Sequence, residues 1–154
     1  MQKKRCGKGF LLILFFLLML APVYGQSPSE IESLLNEKEL SYEQAAYFTL
    51  AAALDEAPKG AKDAYAYADG EGWLPEKAEN TKPINYKYAA FLLMKAFNLK
   101  GGMMYSFTHN ARYAYRELKY LGFISSQAYS NQKISGEMFL QLLEDIIDSA
   151  GGEW

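Results

Sequence analysis

Ile134-Ser135-Gly136-Glu137-Met138-Phe139-Leu140-Gln141-Leu142-Leu143-Glu144-Asp145-Ile146-Ile147 is the stretch that sets the fold class. Its apolar residues Ile134, Met138, Phe139, Leu142, Leu143, Ile146 and Ile147 fall on one stripe of a 3.6-residue helix. Ser135 is of the type that caps a helix start, and Gly151 is the expected stop.

The same pattern occurs twice more. Fifty residues earlier Ile84, Tyr88, Ala89, Leu92, Leu93, Ala96 and Phe97 occupy the same offsets, with Asn85 as the cap and Gly101 as the expected stop. Earlier by a further 44, Leu40, Gln44, Ala45, Phe48, Thr49, Ala52 and Ala53 fall in register, and Ser41 with Gln44 reads as a capping box. A second helix precedes each of these. Ala111, Ala114, Tyr115, Leu118 and Leu121 lead into Gly122-Phe123-Ile124, and Ala61, Ala64, Tyr65 and Ala68 lead into Gly72-Trp73-Leu74. Ile31, Leu34 and Leu35, within 29–36, supply a short counterpart in the first copy. The unit is a helix, a Gly-aromatic-aliphatic turn, a loop and a capped helix, in repeats of about 29–56, 60–99 and 107–150. No strand-like alternation persists. The expectation is an all-α fold, three tandem helix–loop–helix repeats in a pseudo-three-fold bundle that hide their stripes on one another.

The N-terminus reads differently. Lys3, Lys4, Arg5 and Lys8 precede the apolar run Phe10–Leu20, then Ala21-Pro22-Val23-Tyr24-Gly25. Basic start, short apolar centre and small-residue exit are the marks of a secretory signal peptide over 1–25. The run is too short for a spanning helix, which needs about 20 apolar residues, so no stable membrane span is expected after cleavage. Cys6 lies before the run, the wrong side for lipid attachment. Residues 26–154 then form a single domain without cysteine, carrying twelve basic and eighteen acidic groups. It must fold by apolar packing alone. An acidic chain without a basic stripe is no nucleic-acid binder.

Tyr113-Ala114-Tyr115-Arg116-Glu117-Leu118-Lys119-Tyr120-Leu121-Gly122-Phe123-Ile124 and Ile134-Ser135-Gly136-Glu137-Met138-Phe139 resemble the S-layer homology family. That family reads there as an Ala-rich helix, Leu-Gly-Ile/Phe-Ile, a loop, then Ile-Thr-Arg-Ala-Glu-Phe. The resemblance implies a pseudo-three-fold helical domain of the cell envelope, many of whose relatives attach noncovalently to envelope polymers. The family's arginine position holds Tyr42, Tyr86 and Gly136, and its glutamate position Gln44, Tyr88 and Met138. The Asp-Gly loop is missing from 125–133. An anionic glycan is held best by the arginine fork, so the fold carries over and the polymer site does not.

The chemistry-bearing residues point away from catalysis. His109, the one histidine, has no legible partner and is read as opening a helix at the surface. Glu144 and Asp148 share a helix face with Glu137 and Asp145, away from the apolar stripe, as a solvated acidic face does. Asp69-Gly70-Glu71-Gly72 lacks the alternating ligands of a calcium loop. No metal, cofactor or catalytic residue is expected, and an envelope enzyme using Glu137 has no motif behind it. The tyrosines carry more. Tyr65 and Tyr115 lie on stripes, with hydroxyls expected at the rim, while Tyr67, Tyr86, Tyr113 and Tyr120 lie off them, where rings suit protein interfaces and sugar stacking. The expected function is an exported, non-enzymatic binding or scaffolding domain. It would present inter-repeat grooves at Tyr42, Trp73, Tyr86 and Gly136 to an envelope protein or a cell-wall glycan. The alternative is polymer attachment with tyrosine stacking in place of arginine.

Overall fold

The computed structural model describes residues 28–54 and 56–150, so the expected signal peptide and its cleavage site lie outside the described residues. Seven helices and no strand occur among the described residues: α1 Pro28–Leu35, α2 Tyr42–Ala53, α3 Ala61–Gly70, α4 Tyr86–Ala96, α5 Met103–Thr108, α6 Ala111–Tyr120 and α7 Gly136–Ala150. The chain is all-α. No described helix is long and apolar enough to cross a membrane.

The caps follow from the residues. Ser41 Oγ accepts from Gln44 N–H while Gln44 Oε1 accepts from Ser41 N–H, closing the capping box of α2. Asn85 Oδ1 accepts from Tyr88 N–H at α4, and Ser135 Oγ from Met138 N–H at α7. At the other ends, Gly72 and Gly122 take left-handed φ of 69° and 87°. Trp73 N–H donates to Ala68 O and Phe123 N–H to Leu118 O, the wrap that satisfies the last helical carbonyls. The helix α4 stops earlier than its sequence suggests. Asn98, at φ 49°, ends it with Leu99 N–H on Met94 O, three residues before Gly101. Asparagine tolerates the left-handed region. The short α5 was not legible from periodicity, and it places His109 at its C-cap, φ 43°, rather than at a helix start; Asn110 caps α6 instead.

Three buried residues at matching register positions bond to each other in a closed ring. Leu40 N–H donates to Ile134 O (2.9 Å), Ile134 N–H to Ile84 O (3.3 Å), and Ile84 N–H to Leu40 O (2.8 Å). All three are fully buried. Two positions on, the first amide of each capped helix finds a carbonyl in another segment: Tyr42 N–H on Lys82 O, Tyr86 N–H on Gln132 O, Gly136 N–H on Glu37 O. These amides have no partner within their own helix, so the ring and the helix starts hold one another.

Helix pairing departs from the expected hairpins. Each capped helix packs most closely on the first helix of the next segment, α2 on α3 and α4 on α6, and α7 returns to α1. The loops 71–85 and 121–135 carry the chain away between the two helices of one unit, whereas the short links after α2 and α4 keep the next helix close. The first unit also lacks the Gly-aromatic-aliphatic turn, going from Leu35 to Tyr42 in six residues. Around the ring the core gathers Leu34, Phe48, Leu50, Leu92, Leu93, Leu118, Phe139 and Ile146. Six of the patterned apolar residues do not join it: Ile31, Leu35, Ala52, Leu121, Met138 and Ile147 are exposed.

The two full loops repeat bond for bond. Tyr65 Oη donates to Ala78 O (2.7 Å) and Tyr115 Oη to Ala128 O (2.6 Å). Each stripe tyrosine pins its loop, Tyr115 through a buried bond and Tyr65 through a part-buried one nearer the expected rim. Lys119 Nζ adds bonds to Tyr115 Oη and Ala128 O.

Candidate binding clefts

The helix starts decide where the expected groove residues lie. Tyr42 and Tyr86 are the first residues of α2 and α4, and their side chains run inward, 7% and 5% exposed. Tyr86, read from the sequence as lying off its stripe, is thus a core residue. The ring of Tyr42 lies 6.3 Å from that of Tyr88. Burial, with Tyr88 and Tyr65 nearby, pushes the Tyr42 hydroxyl up to about 12. Burial likewise raises Tyr86, with a smaller push from Tyr115. Both rings are covered, so neither presents a face for a sugar to stack on.

Gly136 is buried for a different reason. A Cβ built there would strike the carbonyl of Leu34, because α1 crosses the start of α7 at that point. No side chain, arginine included, fits this position. Trp73 is half-buried and edge-on to Tyr67, with ring centroids 5.7 Å apart. The structure does not gather these four residues into one open groove.

Two surface clefts do form, and they share a register. The larger, about 340 Å³, lies among Ser29, Glu30, Ser33 and Leu34 of α1, Gln44, Tyr47 and Phe48 of α2, and Lys59, Gly60 and Ala61. The smaller, about 180 Å³, lies among Tyr86, the turn Gly122-Phe123-Ile124-Ser125, and Met138, Gln141, Leu142 and Asp145 of α7. Gln44, Tyr47 and Phe48 of the first stand where Met138, Gln141 and Leu142 of the second stand, counted from Leu40 and Ile134. The same surface of two capped helices is therefore open in both places. Of the four expected residues only Tyr86 lines a cleft, at its floor.

Each cleft mixes apolar floor and polar wall. Glu30 and Lys59 bring opposite charges to the larger one, and Asp145 a negative charge to the smaller. Burial, aided by Glu30, raises the Tyr47 hydroxyl, which keeps it a neutral donor. At the corresponding face of α4, Tyr88 lies by Tyr42, and Lys95 Nζ sits 5.6 Å over the Phe91 ring. Sequence reasoning missed Gln44, Tyr47, Gln141 and Asp145 as cleft residues. Their signal was present in the matching offsets, but periodicity read them only as stripe or flank.

Among the described residues no three His, Cys, Asp or Glu side chains come together as a metal site. Glu137, Glu144 and Asp148 are exposed along α7.

Fold and clefts together define a small all-helical domain with two register-matched surface clefts. No family model matches this chain, and no curated protein or solved structure matches it.

Proposed function

We propose that this chain is an exported, non-enzymatic binding or scaffolding domain of the cell envelope, similar to the S-layer homology family in its plan, and built from one motif used three times. The ring of Leu40, Ile84 and Ile134 supports the three-fold plan, since equivalent residues of all three units make equivalent bonds. The pair of clefts in one register carries the binding reading. Sites of this kind, an apolar floor with a few polar groups, suit a peptide segment or a sugar chain. The partner is an envelope protein or a cell-wall glycan, engaged through Gln44 and Tyr47 on one side and Gln141 and Asp145 on the other. Polymer attachment by stacking on Tyr42 and Tyr86 draws no support from two covered rings.

The test is retention of an envelope fraction on the immobilised chain at near-physiological salt. Filling the smaller cleft with Gln141→Trp and the larger with Ala61→Trp should abolish retention while leaving thermal unfolding within a few degrees of the parent. Retention untouched by both changes, or no retained protein or peptidoglycan fraction at all, refutes the reading.

A further inference from the structure

The strongest unassigned surface is α5 and its flanks. Gly101-Gly102 opens this single-turn element, Ser106 N–H closes on Gly102 O, and His109 in the left-handed region ends it. Tyr105 points inward and is buried, which fixes the element's rotation. Met103, Met104 and Phe107 then lie on the opposite side within an arc of roughly 100°. They stand out into solvent at 76%, 52% and 83% exposure.

The charge around them is mainly positive, although the Glu117 carboxylate lies against Gly102 at the start of α5. From residue 80 to residue 116 the chain has six basic side chains and no acidic one, although acidic groups outnumber basic ones in the whole sequence. Lys100, Arg112 and Arg116 from that stretch bracket α5 and are exposed, as is His109. Lys100 stands three residues before Met103, in the non-helical link that leads into α5. Arg116 also lies over the Tyr113 ring, 5.7 Å from its centroid, which leaves its charge intact.

We infer that α5 is a membrane-surface contact, in which Met103, Met104 and Phe107 enter the interface of an anionic lipid bilayer while Lys100, Arg112 and Arg116 meet its headgroups. Protruding apolar side chains ringed by cations are what an interfacial anchor presents. A second copy docked through the same face would bring these cations against their own images, which repel. An acidic protein partner needs a groove to receive three protruding side chains, whereas a bilayer needs none. This surface shares no lining residue with either cleft, so its failure and the failure of the binding reading are separable.

Tryptophan depth in vesicles tests this in the full chain. Two variants are compared, Phe107→Trp and Tyr129→Trp, the latter at a similarly exposed site on the loop 121–135. On vesicles of equal phosphatidylglycerol and phosphatidylcholine with brominated acyl chains, the Phe107→Trp chain should lose roughly threefold more fluorescence than the Tyr129→Trp chain. The difference should vanish on pure phosphatidylcholine, and with Lys100→Glu plus Arg112→Glu. Any attachment through the apolar run at 10–20 acts on both chains alike, so it cancels. Equal quenching at the two positions, or the same difference on neutral lipid, overturns the proposal. So does a light-scattering dimer without lipid that Met103→Ser with Met104→Ser dissolves, because the face would then belong to a second copy.

Discussion

Gly136→Ala should destabilise this domain far more than its chemistry suggests. Its backbone is not in the left-handed region, which among the described glycines is occupied by Gly72 and Gly122, so the dihedral angles admit alanine. The cost comes from contact. The new Cβ falls on the Leu34 carbonyl, with the carbonyl carbon only 2.7 Å away, and that atom is backbone that cannot swing aside. Helix α1 must therefore lift from α7. Leu34 is 1% exposed now, and freeing it costs about 1.5–3 kcal/mol. The bond from Gly136 N–H to Glu37 O is strained or lost, at about 1 kcal/mol. Stiffening of the unfolded chain by alanine returns about 0.4–1 kcal/mol. The net is roughly 2–3 kcal/mol, or on the order of 10 °C in Tm for a domain of this size. Thermal unfolding followed by circular dichroism measures it. Gly60→Ala is the control: nothing lies within 4 Å of its Cβ, and its Tm should stay within about 2 °C. If Gly136→Ala melts with Gly60→Ala, the closure of α7 on α1 is not as described.

Thr49 is fully buried, and its Oγ1 has no hydrogen-bond partner; Thr49→Val should therefore stabilise by about 1 kcal/mol, read from urea midpoints at unchanged slope. Tyr115→Phe removes the hydroxyl that holds Ala128 O and should cost about 1 kcal/mol in the same assay, though Lys119 still serves that carbonyl. Burial holds the hydroxyls of Tyr42 and Tyr105 up to about 12, above the ordinary 10.0. Because the folded state binds these protons more tightly, stability should be level below pH 10 and fall between pH 10 and about 12. Tyr42→Phe should flatten part of that fall, and an alkaline limb unchanged by Tyr42→Phe and Tyr105→Phe would contradict it.

The helices other than α5 were legible in the sequence, as were the starts of α2, α4 and α7, because caps and stripes are local. Ser41, Asn85 and Ser135 each cap the helix expected of them, and Gly72 and Gly122 make the turns. Partnership was not local. Nothing in the α7 stripe says that its neighbour is α1 rather than α6; that follows from loop lengths and from amides that must find acceptors across the fold. The groove residues failed for the same reason. Tyr42 and Tyr86 stand at helix starts that the ring draws inward, so position in the motif did not mean exposure. Gly136 looked like a lost arginine, whereas the path of α1 leaves room for no side chain there.

Amide hydrogen exchange at Leu40, Ile84 and Ile134 goes to the heart of the matter. If three units share one bonded centre, these amides open only with the whole domain, and their protection free energies should agree within about 1 kcal/mol and equal the global value. A Leu40 amide that exchanges early, while Ile84 and Ile134 stay protected, would mean that the first unit merely rests on a two-unit core.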